Sequence, residues 1–239
     1  FQKKRSSIMA TATLSRSVAR PISIASVRVT GLAGLAFAVS VAAQNIWSQA
    51  TRMIPDLAAP AAVVLEKATQ NAGSYGLLFS WVAVNVVVLA VFLCGAYALF
   101  KDTSPLYANL VLVGGALLSV FFPLSNLPLI GIVASGSGLA SDSAMVGLLW
   151  QMHLAGFAFA ELSLGTALFA LSRCAANTNL LPGWLCSLGA VGAVLLIGAA
   201  VPILTVAQGS PITFVGLIGF LIWLVFLGSL GASMFRTAD

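Results

Sequence analysis

Long apolar stretches alternate with short polar breaks along this chain. The stretches run over residues 29–47, 75–100, 106–127, 144–172, 181–206 and 212–235. Each is continuous and about the length a helix needs to cross roughly 30 Å of hydrocarbon. None shows the strict apolar–polar alternation of a transmembrane β-strand. The pattern predicts an all-α polytopic integral membrane protein with six transmembrane helices.

The breaks sharpen this picture. Trp47 closes the first span and residues 48–74 form the longest connection, within which AAVVLEKAT (61–69) reads as a short interfacial helix. Lys101-Asp102 ends the second span, and the turn DTSP (102–105) leads into the third. Pro123 and Pro128 flank Asn126, where the third helix is expected to kink or end. Residues 129–143, rich in Gly and Ser, are then expected to form a flexible loop, with a re-entrant segment as the alternative. Arg173 is expected to stop the fourth span, and Pro202 to kink the far end of the fifth.

Charge gives the topology an orientation. Lys3, Lys4, Arg5, Arg16, Arg20 and Arg28 precede the first span with no acid among them. With that basic tail (1–28) in the cytoplasm, Lys101, Arg173 and Arg236 share its side, and only Arg52 and Lys67 lie opposite. The asymmetry predicts that both termini are cytoplasmic. Met9-Ala10-Thr11 reads as a natural start, with residues 1–8 upstream or vector-derived. The Ser/Arg-rich, acid-free leader also fits an organellar transit peptide. The bacterial cytoplasmic membrane is the first expectation for location, and an organellar membrane the alternative.

Composition agrees. Sixty per cent of the 239 residues are hydrophobic and 7% charged, with a mean hydropathy of +1.05; soluble domains carry about 25% charged residues. The net charge of +5 sits largely in the tail, without the aromatic interleaving or the fold that nucleic-acid binding requires, so no nucleic-acid partner is expected.

Candidate chemistry concentrates in the fourth span. It holds the only histidine, His153, and Glu161, the only acidic side chain inside any span. Eight residues apart, they lie about 12 Å apart along a helix axis and roughly share a face. An intramembrane ionisable group is a functional candidate by default, although a hydrogen-bonded packing role is the plainer alternative for both. With Gln151, Asn85 and Asn126 they form the expected polar site. Glu161 is expected to find a partner among Asn85, Ser119, Thr205, Ser163 and Thr166. Asn85 alone reads as interhelical glue.

One histidine excludes bis-His haem and His-rich metal cages. No GxSxG, P-loop, HExxH or acidic Mg²⁺ cluster is present, and no span holds a lysine that could carry retinal. No cofactor and no metal is expected. The three cysteines form no CxxC pair and read as reduced thiols.

VRVTGLAGL (27–35), ALFKDTSPLYANLVLV (98–113) and HLAGFAFAELSLG…LSR…NLLPGWL (153–185) resemble corresponding segments of an uncharacterised bacterial six-span family, domain-of-unknown-function family 4386. Gly183 and Cys186 stand where that family tends to have Arg and Gly. The resemblance implies a membrane location and a fold, and no activity.

Three roles follow as expectations. The first is a non-enzymatic protein, either an accessory subunit beside other membrane subunits or in a homo-oligomer, or a binder of a lipid, quinone or pigment. The second is a small proton-coupled transporter with Glu161 as the titrating group. The third is a membrane enzyme acting on a lipid-like substrate through His153.

Overall fold

The computed structural model describes residues 23–236. Most of the basic tail, including Lys3, Lys4, Arg5, Arg16 and Arg20, lies outside the described residues. Eight α-helices follow in order: α1 Ile24–Ala50, α2 Ala61–Gln70, α3 Ala72–Phe100, α4 Pro105–Ser135, α5 Ser143–Thr178, α6 Gly183–Ala200, α7 Ile203–Ala207 and α8 Thr213–Arg236. Six of them (α1, α3, α4, α5, α6 and α8) are long and apolar enough to cross a membrane. The fold is all-helical, as the hydropathy pattern predicts.

The six long helices pack in a closed cyclic order, α1–α3–α4–α5–α6–α8 and back to α1. Small residues set the close crossings. A Cβ on Gly31 would stand 2.7 Å from Gly231 O on α8, and a Cβ on Gly231 would stand 2.7 Å from Gly31 O. Side chains at either position would force the two backbones apart. On the other side of the ring, Gly165 of α5 faces Ala193 O and Gly192 of α6 faces Ile222 of α8 in the same manner. α5 is the most enclosed helix. Its most apolar window is 61% buried, against 44% or less for the other five.

Helix ends depart from the sequence expectation in three places. α1 begins at Ile24, capped by Ser23, whose hydroxyl accepts from Ser26 N–H, so Arg28 lies on the helix and not in the tail. α4 does not end near residue 127. It runs through Pro123 and Pro128 to Ser135, and a 3₁₀ turn Gly136–Leu139 follows, so the expected flexible loop over 129–143 shrinks to a few residues. Each proline removes only its own N–H from the ladder, whereas ending the helix in hydrocarbon would strand several backbone groups at several kcal/mol each. Arg173 does not stop α5, which continues to Thr178 and is closed by Asn179 in the left-handed region (φ 53°). The Arg173 guanidinium extends over the Tyr107 ring, 5.9 Å from its centroid.

The α2 end of the bundle carries a cap. Lys67 Nζ donates to Arg52 O (3.0 Å) and Ile54 O (3.1 Å), the Tyr75 hydroxyl to Met53 O (2.7 Å) and Trp150 Nε1 to Leu57 O (3.1 Å). These bonds hold residues 51–60 and α2 over α4 and α5, with Met53, Val64, Ala68 and Trp150 buried beneath.

Candidate functional site

α5 positions both ionisable residues, but towards different neighbours. His153 turns to α4, where its Nδ1 lies 2.7 Å from Ser125 O. A carbonyl only accepts, so Nδ1 carries the proton in this bond. Its ring stacks on Trp150, with centroids 5.1 Å apart. Glu161, two turns further on at the middle of α5, turns to α6 and α8. Its Oε1 lies 2.8 Å from the point where a Cβ on Gly216 would stand, and Ala199 Cβ lies 3.2 Å from that same point. The shared pocket expected for His153 and Glu161 therefore does not form. Eight residues advance a helix by 800°, which is 80° beyond two full turns, enough here to pass from one neighbouring helix to another.

Glu161 is 6% exposed, and its Oε2 is buried without a hydrogen-bond partner. The expected partners are engaged elsewhere. Ser119, Ser163 and Thr166 donate back to their own helices, at Gly115 O, Phe159 O and Leu162 O. Thr205 is exposed, and Asn85 belongs to a separate network. Ala199 borders the same Gly216 position, and Ala158, Ala200 and Val206 of α5, α6 and α7 form a small buried apolar cluster of their own. Gly216 matters for its missing side chain, because a methyl there would occupy the carboxylate's place. Buried polar atoms left unpaired are uncommon in folded proteins and call for a functional or structural reason.

The helix facing Glu161 is broken. α6 ends at Ala200 and α7 starts at Ile203. Between them Pro202 adopts φ −78° and ψ 62°, and Ile203 N–H bonds Val201 O at 2.9 Å, an inverse γ-turn. Proline offers no N–H to Gly198 O, and the N–H of Ile203 is drawn away from Ala199 O. The helix ladder is thus interrupted in the last turn of α6, where Ala199 borders the same Gly216 position as the carboxyl. Pro202 was legible as a kink. Its proximity to Glu161 was not, because no local pattern encodes which helix faces which.

The remaining expected site residues are dispersed. Asn85 joins α3 to α1: the Ser40 hydroxyl donates to Asn85 Oδ1 (2.6 Å), Asn85 Nδ2 donates to Gln44 Oε1 (2.8 Å), and Trp81 Nε1 donates to Ser40 Oγ (2.8 Å). Asn126 donates to Phe122 O within α4 (2.8 Å). Gln151 is exposed on the outer side of α5. Among the described residues, no three His, Cys, Asp or Glu side chains group so as to hold a metal ion, and all three cysteines are free thiols.

The family model for a domain of unknown function, DUF4386, matches residues 14–228, most of the chain. The protein belongs to the DUF4386 family. No curated protein and no solved structure matches it. Within this DUF4386 member, the matched region takes in the whole ring from α1 to most of α8, Glu161 and the Pro202 break included.

Proposed function

We propose that the protein is a small proton-coupled membrane carrier in which Glu161 takes up and releases the proton. The observation that carries this reading is the unpartnered, buried carboxyl at the centre of α5, set against a helix interrupted at Pro202. Carriers place coupling groups near the bilayer midplane beside discontinuous helices, whose loosened turns accommodate a change of charge. The third role, an enzyme acting through His153, gains no support from the geometry. His153 and Glu161 face different helices and do not form an acid–base pair. The reading includes a bacterial cytoplasmic membrane location with both termini in the cytoplasm.

A pH jump applied to the protein reconstituted on a solid-supported membrane tests the reading. Proton uptake at a buried carboxyl displaces charge across the membrane, so the wild type gives a transient current and Glu161→Gln abolishes it. A current of equal size in Glu161→Gln overturns the proposal.

A second reading, as a binder of a hydrophobic ligand or as a subunit among other membrane proteins, is favoured by one feature. A shallow groove lined by Ala25, Ser26, Val29, Thr30, Val91 and Gly95 opens sideways between α1 and α3. Purification in mild detergent followed by native mass spectrometry distinguishes its two forms. A bound lipid, quinone or pigment supports the binder, a stoichiometric protein the subunit, and a bare monomer neither.

A further inference from the structure

Resting on the second reading, in which the groove between α1 and α3 is a ligand site, we propose that this groove holds one acyl chain of an anionic phospholipid, with the headgroup at the cationic end of the bundle. The groove is about 330 Å³, towards the lower end of the range for ligand pockets. Close packing creates it. A Cβ on Gly95 would collide with the Thr30 side chain, so α3 and α1 approach closely there. The small side chains of Ala25 and Ser26 leave a depression beside that crossing, flanked by Val29 and Val91, which are 56% and 45% exposed.

Hydrogen bonding selects hydrocarbon as the filling. The Thr30 hydroxyl donates to Ser26 O (2.8 Å), and the Ser26 hydroxyl is paired with that of Ser23 (2.8 Å). A water molecule, which needs several polar partners, or a quinone carbonyl finds no vacant hydroxyl in the lining. An empty depression in the hydrocarbon layer would forfeit dispersion contacts. A flexible alkyl chain entering sideways from the bilayer recovers them.

Charge selects the headgroup. The groove lies against the first turns of α1 and the last turns of α3, and Lys101 comes six residues after Gly95, about 9 Å further along the axis. At this end Arg28, Lys101, Arg173 and Arg236 stand against one acid, Asp102, among the described residues. The N-terminus of α1 opens at the same level, and its dipole favours phosphate. A chain seated in the groove therefore carries its phosphate to where positive charge is concentrated, and basic groups near a bilayer surface attract anionic lipid. A second copy of the protein is a poorer occupant, because it would bring like charge to the same end.

The test reconstitutes the protein in phosphatidylcholine vesicles containing a trace of phosphatidylglycerol with a photoactivatable diazirine in one acyl chain. The same label on phosphatidylcholine serves as control, and adducts are mapped by mass spectrometry after illumination. Phosphatidylglycerol adducts are expected to concentrate within residues 25–30 and 91–95. Lys101→Gln is expected to lower this labelling about fivefold, the effect of one basic group near the surface. Ala25→Trp fills the groove from an exposed position and is expected to abolish the labelling there while sparing background adducts at Ile218 of α8. Should Ala25→Trp fail to fold, the map on the wild type still decides. Adducts spread evenly over exposed positions such as Leu77, Val84 and Ile218 overturn the site, as does a dimer that excludes the labelled lipid from the groove. Equal labelling of the groove by both lipids overturns the anionic selection. If the adducts are even but native mass spectrometry finds a bound quinone or pigment, the acyl-chain site falls and the binder reading stands. If nothing is bound either, both fall.

Discussion

Among the described residues, buried polar side chains divide into those that are satisfied and one that is not, and the two kinds respond to mutation in opposite ways. Asn85 gives both ends of its amide to α1, through Ser40 and Gln44. Interhelical hydrogen bonds in membranes average about 0.6 kcal/mol and reach roughly 1.7. Asn85→Leu, which loses two of them and leaves Gln44 Oε1 unpaired, is expected to destabilise by about 1–2 kcal/mol, read as a lower unfolding temperature in detergent. Glu161 has no such partner for Oε2. An unpaired buried polar group costs about 1–3 kcal/mol, so Glu161→Leu, of similar reach and without that cost, is expected to stabilise by a comparable amount. Loss of stability in Glu161→Leu would mark the carboxyl as a packing group and count against its functional role.

Helices show where local pattern suffices and where it fails. Hydropathy runs reveal the six spans because each helix must bury its own backbone polar groups in lipid. The same signal blurs at the ends: α4 passes two prolines and α5 passes Arg173, since a cation at a helix end reaches water or an aromatic face without ending the helix. Pro202 does break its helix, and the short α7 follows before the connection to α8. The α1–α8 crossing depended on Gly31 and Gly231, residues with no signal of their own until the backbones are seen in contact. Gly231→Ala places a methyl 2.7 Å from Gly31 O and Leu35 N, and overpacking of this kind costs about 1–3 kcal/mol; the check is a lower melting temperature without loss of helical circular dichroism. Lys67 behaves differently, because both its bonds run to the 51–60 connection and neither reaches the ring. Lys67→Met removes the bonds to Arg52 O and Ile54 O. It is expected to speed proteolysis within residues 51–60 while leaving the global unfolding temperature within about 1 °C, as local opening is decoupled from the core.

At the scale of the whole molecule, helix order sorts the charges. Arg28, Lys101, Arg173 and Arg236 fall at one end of the ring with Asp102, whereas Arg52 and Lys67 fall at the other with Asp56, Glu66 and Asp142. The ring alone has no preferred direction in a bilayer, and the proposed orientation rests on this cationic excess, the bias that favours retention of basic connections in the cytoplasm. Two exposed threonines sit on opposite ends, Thr69 on α2 and Thr103 in the turn between α3 and α4. In a Cys94→Ser background, chosen because Cys94 is the exposed thiol, Thr69→Cys is expected to react with a membrane-impermeant maleimide added to intact cells. Thr103→Cys is expected to react only after permeabilisation. The reverse pattern would invert the orientation and put the cap in the cytoplasm. Protons would then reach Glu161 past α7 from the cytoplasmic side, because the α6–α8 connection lies at the cap end, where Gly209 abuts Leu57 and Ala58.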